Sequence, residues 1–273
     1  MEPTRDKPIA SRGEDGKIPV LVNGIAREYD YDLSVVIPIY NEEAGIRATV
    51  EHLTQYLFAQ PWRSEIICVD DGSSDRTAEI LEELEEPGRV RAIRSPENRG
   101  YGSALKIGFA AAKGRYIGFV DADETYPAKM LGPMLAMLEW RPDVPLVAGS
   151  RLLGGGEGLN LLRKTGNLIF TIMSRVVCGT TATDACTGML LFREELRDEL
   201  GIEDFTDDLD FSLQMRCRCA LLGIPNLELP IPYSDRVGSS KLSAFKHGLK
   251  FTGRIAHERL HAKRWKARRP SQT

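Results

Sequence analysis

The strongest constraint on the fold is an alternation, from Leu33 onward, of short β-branched runs with segments of helical periodicity. Such alternation is typical of a parallel sheet covered by helices, because parallel strands need long crossover connections. The pattern predicts buried strands at 33–39, 65–70, 90–95, 116–123 and 144–149, and helices at 42–57, 77–84, 100–112 and 127–140. The predicted fold class is therefore α/β with a mainly parallel central sheet.

Beyond residue 151 the pattern is less regular. It predicts a glycine-rich loop at 154–158, helices at 166–177 and 211–222, and an extended segment at 227–234. The charged, Pro-containing N-terminus has no apolar run, so we expect a flexible tail over residues 1–30. We expect a single α/β domain over 31–243 and a basic amphipathic segment over 244–273.

The net charge of −3 hides an uneven distribution. Residues 241–273 contain ten Lys and Arg against one acidic residue, Glu258, which leaves about −12 for the rest of the chain. This C-terminal segment is either a solvated charged helix or a surface that docks on anionic lipid, with Phe, Leu and Trp entering the interface. No nucleic-acid motif accompanies the basic residues. Its HExxH pattern at 257–261 lies among cations, which disfavours a zinc site.

No stretch of about 20 apolar residues is present, and the N-terminus lacks the features of a secretory signal. We therefore expect a cytoplasmic protein whose contact with the membrane face is at most peripheral. Its oligomeric state is left open.

Acidic residues follow three of the predicted strands. The first strand leads into Tyr40, Asn41 and Glu42, the second into an Asp pair at 70–71, and the fourth into an Asp-x-Asp at 121–123. Ligands bind at the carboxyl ends of strands in open parallel sheets. One Asp-x-Asp could simply cap a helix, but three clusters at one edge favour a cation or a hydrogen-bonding ligand. Two carboxylates so spaced suit Mg²⁺ or Mn²⁺.

Four motifs resemble the inverting family 2 glycosyltransferases of glycosyltransferase-A fold: PIYNEE (38–43), VDDGSSDRT (69–77), NRGYGSAL (98–105) and FVDADETYP (119–127). Two further segments, DACTG (184–188) and LPIPYSDRVGSSKLS (229–243), resemble the polyprenyl-phosphate sugar synthases, a subgroup that includes the dolichol-phosphate mannose synthases. The resemblance implies a metal-dependent enzyme that moves a hexose from a GDP- or UDP-hexose to a polyprenyl phosphate.

The resemblance also implies roles for individual residues. The positions that match nucleotide-sugar-binding residues are Pro38, Tyr40, Glu42, Asp70, Asp71, Asp121, Asp123 and Arg151. Of these, Asp121 and Asp123 would hold the metal. Thr125 departs from the mannose synthases, which have a metal-binding Gln at the corresponding position.

The acceptor side would be cationic, with Arg163, Arg236 and Lys241 at the acceptor phosphate and the last two also catalytic. A phosphate acceptor is already anionic, so cations alone can hold it in line. A hydroxyl acceptor would need a base, for which Asp208 and Asp210 are the preferred candidates and Asp207 and Asp184 the alternatives. Two alternatives stay open: the same type of transferase with a soluble hydroxyl acceptor, and a non-catalytic nucleotide-sugar-binding protein.

Overall fold

The computed structural model describes residues 16–22, 25–156, 161–234 and 244–268. In chain order its strands are β1 (Ile18–Val22), β2 (Ile25–Tyr29), β3 (Tyr31–Ile39), β4 (Ser64–Asp70), β5 (Val90–Arg94), β6 (Gly114–Val120), β7 (Leu146–Ser150), β8 (Met189–Arg193) and β9 (Asn226–Pro230). Its α-helices are α1 (Ile46–Leu57), α2 (Thr77–Leu84), α3 (Tyr101–Ala111), α4 (Leu131–Trp140), α5 (Leu161–Cys178), α6 (Leu196–Leu200), α7 (Phe211–Leu222), α8 (Ala244–Leu260) and α9 (Ala262–Arg268). The predicted α/β class is confirmed.

The large sheet has seven strands within the described residues, in the order β5, β4, β3, β6, β8, β7, β9. Strand β3 lies parallel to both β4 and β6, whereas β8 runs antiparallel to β6 and β7. The chain first moves outward from β3 to β5 and then returns to the other side of β3. A crevice therefore opens at the carboxyl ends of β3 and β6, where the strand order reverses.

Helices cover both faces of the sheet, because successive residues of a buried strand point in opposite directions. Val35 and Ile37 pack in the core beneath α1, α2 and α4, whereas Val36 packs in the core beneath α3 and α7. A Cβ on Gly108 of α3 would lie 2.3 Å from Val36 Cγ1. The small-residue helix thus approaches the sheet closely, as its composition predicts.

Half of the expected flexible tail over 1–30, residues 1–15, lies outside the described residues, and the rest is mostly ordered as strands. Residues 18–29 form the antiparallel hairpin of β1 and β2. Its inner side chains, Ile18, Val20 and Tyr29 among them, make a small apolar cluster of their own. Arg27 Nη1 lies 2.5 Å from Glu194 Oε2, which ties the hairpin to the main body. The alternation of apolar residues in β1 explains why it forms a strand. The sequence analysis overlooks this alternation because the residues that precede it are charged.

The C-terminal segment is helical, as predicted, but its large apolar side chains do not all face outward. Phe251, Ile255 and Trp265 are buried against the body of the protein, so the expectation that the aromatic residues of this segment enter a lipid interface is wrong for Phe251 and Trp265. Helix α8 packs against α5 and α7, and the residues directly before the expected boundary at 243/244 lie outside the described residues. Of the helices described, none is long and apolar enough to cross a membrane.

A buried ion pair fixes α8 in place. Arg218 of α7 donates to both carboxylate oxygens of Glu258, at 2.9 and 2.8 Å, and Gln214 Nε2 donates to the same carboxylate at 2.7 Å. The Arg218 guanidinium also stacks over the ring of Trp265 in α9, 3.9 Å from its centroid. The Glu of the HExxH pattern therefore joins α7 to the two C-terminal helices.

Glu258→Ala is expected to lower the free energy of unfolding by about 3–5 kcal/mol, because it leaves the buried Arg218 without its carboxylate. Urea unfolding measures the change. The matched control is Glu139→Ala on the exposed face of α4, expected to stay within about 0.5 kcal/mol of the wild type. Equal stability of the two variants would contradict the role assigned to Glu258.

Candidate active site

The ends of β3, β4 and β6 meet at one edge of the sheet. Ile39 and Asp70 are register partners in the parallel pair of β3 and β4, and β6 lies on the other side of β3. The residues that follow these strands are the predicted acidic clusters. The structure therefore brings the three predicted clusters together at the crevice where the strand order reverses.

Hydrogen bonds between the first two strand ends shape the crevice. Asn41, with a left-handed φ of 51°, donates its backbone N–H to Ser73 Oγ at 2.8 Å and accepts at Oδ1 from the Ser74 backbone at 2.7 Å. Asn tolerates this conformation better than most residues. Tyr40 and Glu42 are half-buried on either side of it, whereas Pro38 is buried within β3.

Asp70 and Asp71 have different surroundings although both are buried. Asp71 accepts from the backbone N–H groups of Arg99 and Gly100, at 3.0 and 2.7 Å, and so holds the loop that begins α3. Asp70 accepts from the Ser73 backbone at Oδ1. Its Oδ2 accepts no hydrogen bond from the described residues, and Arg94 Nε lies 3.6 Å from it. Asp71 therefore orders the loop before α3 through both of its oxygens, whereas one oxygen of Asp70 has only the longer contact with Arg94.

Asp121 is held between α3 and the segment before β8. Tyr101 donates its hydroxyl to Asp121 Oδ1 at 2.8 Å. Burial, together with the adjacent Asp121 carboxylate, raises the pKa of Tyr101 well above its ordinary value, so the phenol remains a donor at neutral pH. On the other side, a Cβ on Gly188 would lie only 1.9 Å from Asp121 Oδ2. Only glycine fits here without displacing the carboxylate.

Asp123 is oriented by the residue two positions later. Thr125 donates its hydroxyl to Asp123 Oδ1 at 2.6 Å, and both side chains are buried. The described part of the chain contains no group of three or more His, Cys, Asp or Glu side chains that could hold a metal ion. Carboxylate oxygens suit Mg²⁺ and Mn²⁺. An ion at Asp121 and Asp123 would take its other ligands from a bound molecule or water.

Two glycines let the loop at 206–208 close over the start of α3. Added Cβ atoms would lie 2.2 Å from Asp207 O at Gly100 and 2.1 Å from Thr206 O at Gly102. The Gly102 N–H also donates to Asp207 O at 2.8 Å. The Gly-x-Gly spacing therefore serves close backbone packing beside Tyr101, which is a role that its sequence alone does not reveal.

Three acids in this loop and directly after it each face a cation. Asp207 lies 2.6 Å from Lys106 Nζ, and Asp208 accepts two contacts of 2.7 Å from Lys250 Nζ. The buried Asp210 accepts from Arg254 Nε at 2.8 Å. Lys250 and Arg254 belong to α8. Asp208 and Asp210, the predicted catalytic acids, are thus neutralised by the basic C-terminal segment.

Arg151 lies in a second buried ion pair. Its guanidinium donates to both carboxylate oxygens of Asp184, at 2.7 and 2.8 Å, and to the backbone oxygen of Cys186. Burial alone would raise the pKa of Asp184, but the Arg151 guanidinium and its hydrogen bonds hold that pKa below the ordinary value. The guanidinium of Arg151, which the resemblance assigns to nucleotide-sugar binding, is therefore hydrogen-bonded to the protein itself. Arg163 is half-buried on α5, and the other two predicted cations, at 236 and 241, lie outside the described residues.

Tyr101 and Gly188 are site residues that the sequence analysis did not identify. Both lie within motifs that it did recognise, NRGYGSAL and DACTG. A tyrosine between two glycines at a helix start, and a glycine directly before a strand, are the available signals. Neither signal indicates which carboxylate the residue contacts.

Comparison with known proteins gives consistent results. Residues 34–201 match the family model described as Glycosyl transferase family 2. The "Dolichyl-phosphate hexose transferase" of Haloferax volcanii is 33% identical over 222 residues, which cover 81% of this chain and 91% of that protein. The "Dolichyl-phosphate beta-glucosyltransferase" of Dictyostelium discoideum is 26% identical over 263 residues, covering 91% and 80%.

A solved structure shares the fold. It is the glucosyl-3-phosphoglycerate synthase from Mycobacterium tuberculosis in complex with Mn²⁺, UDP-glucose and glycerol 3-phosphate. The TM-score is 0.57 at 18% sequence identity, and the match covers 89% of this chain and 82% of that one.

Gly188→Ala is expected to lower the free energy of unfolding by about 1–3 kcal/mol, because the new methyl group overlaps the Asp121 carboxylate. The control is Gly253→Ala in α8, where an added Cβ meets no atom within 4 Å; a gain of up to about 1 kcal/mol is expected there. Urea unfolding of both variants measures the contrast. A neutral effect at position 188 would show that Asp121 is not confined by this contact.

Proposed function

Because the chain belongs to glycosyl transferase family 2, we propose that this glycosyltransferase moves a hexose, with inversion, from a nucleoside diphosphate sugar to a polyprenyl phosphate. The observation that carries the proposal is the convergence of the three acidic strand ends at one crevice. The lipid acceptor is supported by the relative from Haloferax volcanii, whose name gives dolichyl phosphate as its substrate.

The nucleotide would bind across the ends of β3 and β4. Asp70 Oδ2 is buried and accepts no hydrogen bond within the described part of the chain, and a ribose hydroxyl or a base N–H would supply one. Tyr40 and Glu42, beside the Asn41 turn, would complete this subsite, with Pro38 beneath it. Asp71 would act by holding the start of α3. The base is uracil or guanine.

The diphosphate would lie at the end of β6. A Mg²⁺ or Mn²⁺ held there by Asp121 and Asp123 would neutralise the departing nucleoside diphosphate. The M. tuberculosis synthase of the same fold forms a complex with Mn²⁺ and UDP-glucose. Tyr101 and Thr125 would keep the two carboxylates in place. Thr125, which stands where the mannose synthases have Gln, would thus position the metal ligand Asp123. Arg151 would position the segment of Asp184 that leads to Gly188.

The surroundings of the loop acids favour a phosphate acceptor. Asp207, Asp208 and Asp210 are each paired with a cation, so a hydroxyl acceptor would have to share the carboxylate with that cation or displace it. A phosphate acceptor needs no base to attack the anomeric carbon. We propose that Arg163, Arg236 and Lys241 hold it in line.

Asp123→Asn is expected to reduce hexose transfer at least about a hundredfold while the protein stays folded, because the amide binds a divalent ion and diphosphate poorly. The assay measures radiolabelled hexose extracted into the organic phase with polyprenyl phosphate. Asp143→Asn, which removes an exposed ion pair with Arg141, is the control and should keep full activity. Label that appears only on water-soluble acceptors would exclude the lipid acceptor.

Asp208→Asn separates the two types of acceptor. With a phosphate acceptor, activity should stay within about threefold of the wild type, because no proton has to be removed. A hydroxyl acceptor that uses Asp208 as its base predicts a loss of at least about a hundredfold. Asp207→Asn is the matched control. Asp207 lies in the same loop as Asp208, and its substitution likewise removes an ion pair with a lysine.

A further inference from the structure

Helix α5 buries its polar side and exposes its apolar side, the reverse of an ordinary surface helix. The residues it buries are Asn167, Thr171, Ser174 and Cys178. Its large aliphatic side chains point away from the protein, with exposed fractions between 48% and 81%, at Leu161, Leu162, Leu168, Ile169, Ile172 and Val176. A surface helix normally buries its apolar stripe. An exposed apolar patch of this kind marks a contact with a partner or a membrane.

The exposed aliphatic residues lie on one side of the helix, with the exposed Thr165 among them. At 100° per residue they fall within an arc of about 120° around the helix. Lys164 and Arg175 lie along one edge of this arc, and α5 contains no acidic residue. A strip of aliphatic side chains with a basic edge is the composition of helices that lie in the interface of an anionic bilayer.

The neighbouring helices extend the same charge pattern. Phe170 of α5 packs against Phe251 of α8, with ring centroids 5.0 Å apart. Across α8 and α9 the single acidic residue is Glu258, which is fully buried. No acidic side chain of these helices therefore faces solvent in the described residues to repel anionic lipid, whereas a two-fold contact between copies would bring the same basic edges together.

The inward face of α5 bonds to the segment that leads into the candidate active site. Asn167 Nδ2 donates to Asp184 Oδ1 at 2.7 Å, and the Ala185 N–H donates to Thr171 Oγ1 at 3.1 Å. Three residues further on, Gly188 lies against Asp121. One side of α5 is thus joined to the site and the other carries the apolar strip.

We propose that the outward face of α5 is a membrane-docking surface that inserts its aliphatic strip into the interface of an anionic bilayer. This deepens the proposed function, because it names the surface that brings the site to a lipid acceptor. It also replaces the C-terminal segment as the main apolar contact, since Phe251 and Trp265 are buried.

The test is co-sedimentation of the full chain with vesicles of phosphatidylcholine alone, or of equal parts phosphatidylcholine and phosphatidylglycerol. The wild type should bind the anionic vesicles and release them in high salt. The double variant Ile172→Glu, Val176→Glu should lower the partition coefficient at least about a hundredfold, because two aliphatic side chains leave the lipid. The control is Trp140→Glu, which removes a side chain 75% exposed on α4 and should bind as the wild type does.

Three results would overturn the proposal: unchanged binding by the double variant, no binding of anionic vesicles by the wild type, or a wild-type dimer in sedimentation equilibrium that the double variant breaks. A thermal-shift panel of UDP- and GDP-hexoses with Mg²⁺ is run on all variants. A cooperative melting transition at the wild-type temperature without any sugar nucleotide shows that the double variant is folded. If the panel gives no shift while vesicle binding follows the expected pattern, the proposed function fails and the docking surface stands.

Discussion

The hydrogen bond from Tyr101 to Asp121 is the contact on which the arrangement of the site depends. Tyr101 is the first residue of α3, and Asp71 fixes the start of that helix through the backbone of residues 99–100. The end of β4 therefore determines where a carboxylate at the end of β6 points. Gly102 receives the 206–208 loop on the same turn. Three distant segments of sequence thus depend on the placement of one helix terminus.

The second constraint is electrostatic, because several acids gather at one edge of the sheet. Like charges this close repel one another unless hydrogen-bond donors or cations lie beside them. The chain supplies backbone N–H groups to Asp71, hydroxyl groups to Asp121 and Asp123, and cations of α8 to Asp208 and Asp210. Part of the negative charge of the acidic body is therefore neutralised by the basic C-terminal segment, through the ion pairs of α8 at the site.

The sequence predicts the α/β class and the strands β3 to β7, because buried parallel strands and their covering helices have local periodicities. It does not predict β8, an apolar run that pairs antiparallel between β6 and β7 through contacts remote in sequence. The same holds for the site. Strand ends identify Asp70, Asp71, Asp121 and Asp123, but the partners of these carboxylates depend on tertiary packing. Glu258 shows the limit, since its HExxH pattern gives no sign of the pair with Arg218.

Helix α5 shows why periodicity alone does not give orientation. Its sequence has a polar side and an apolar side, and the usual assumption places the apolar side inward. The segment at 184–186, however, presents a buried carboxylate and backbone N–H groups that need partners. Asn167 and Thr171 supply them, so the polar side faces the protein and the aliphatic side faces outward. The same hydrogen bonds that complete the region behind Asp121 thereby expose the apolar strip.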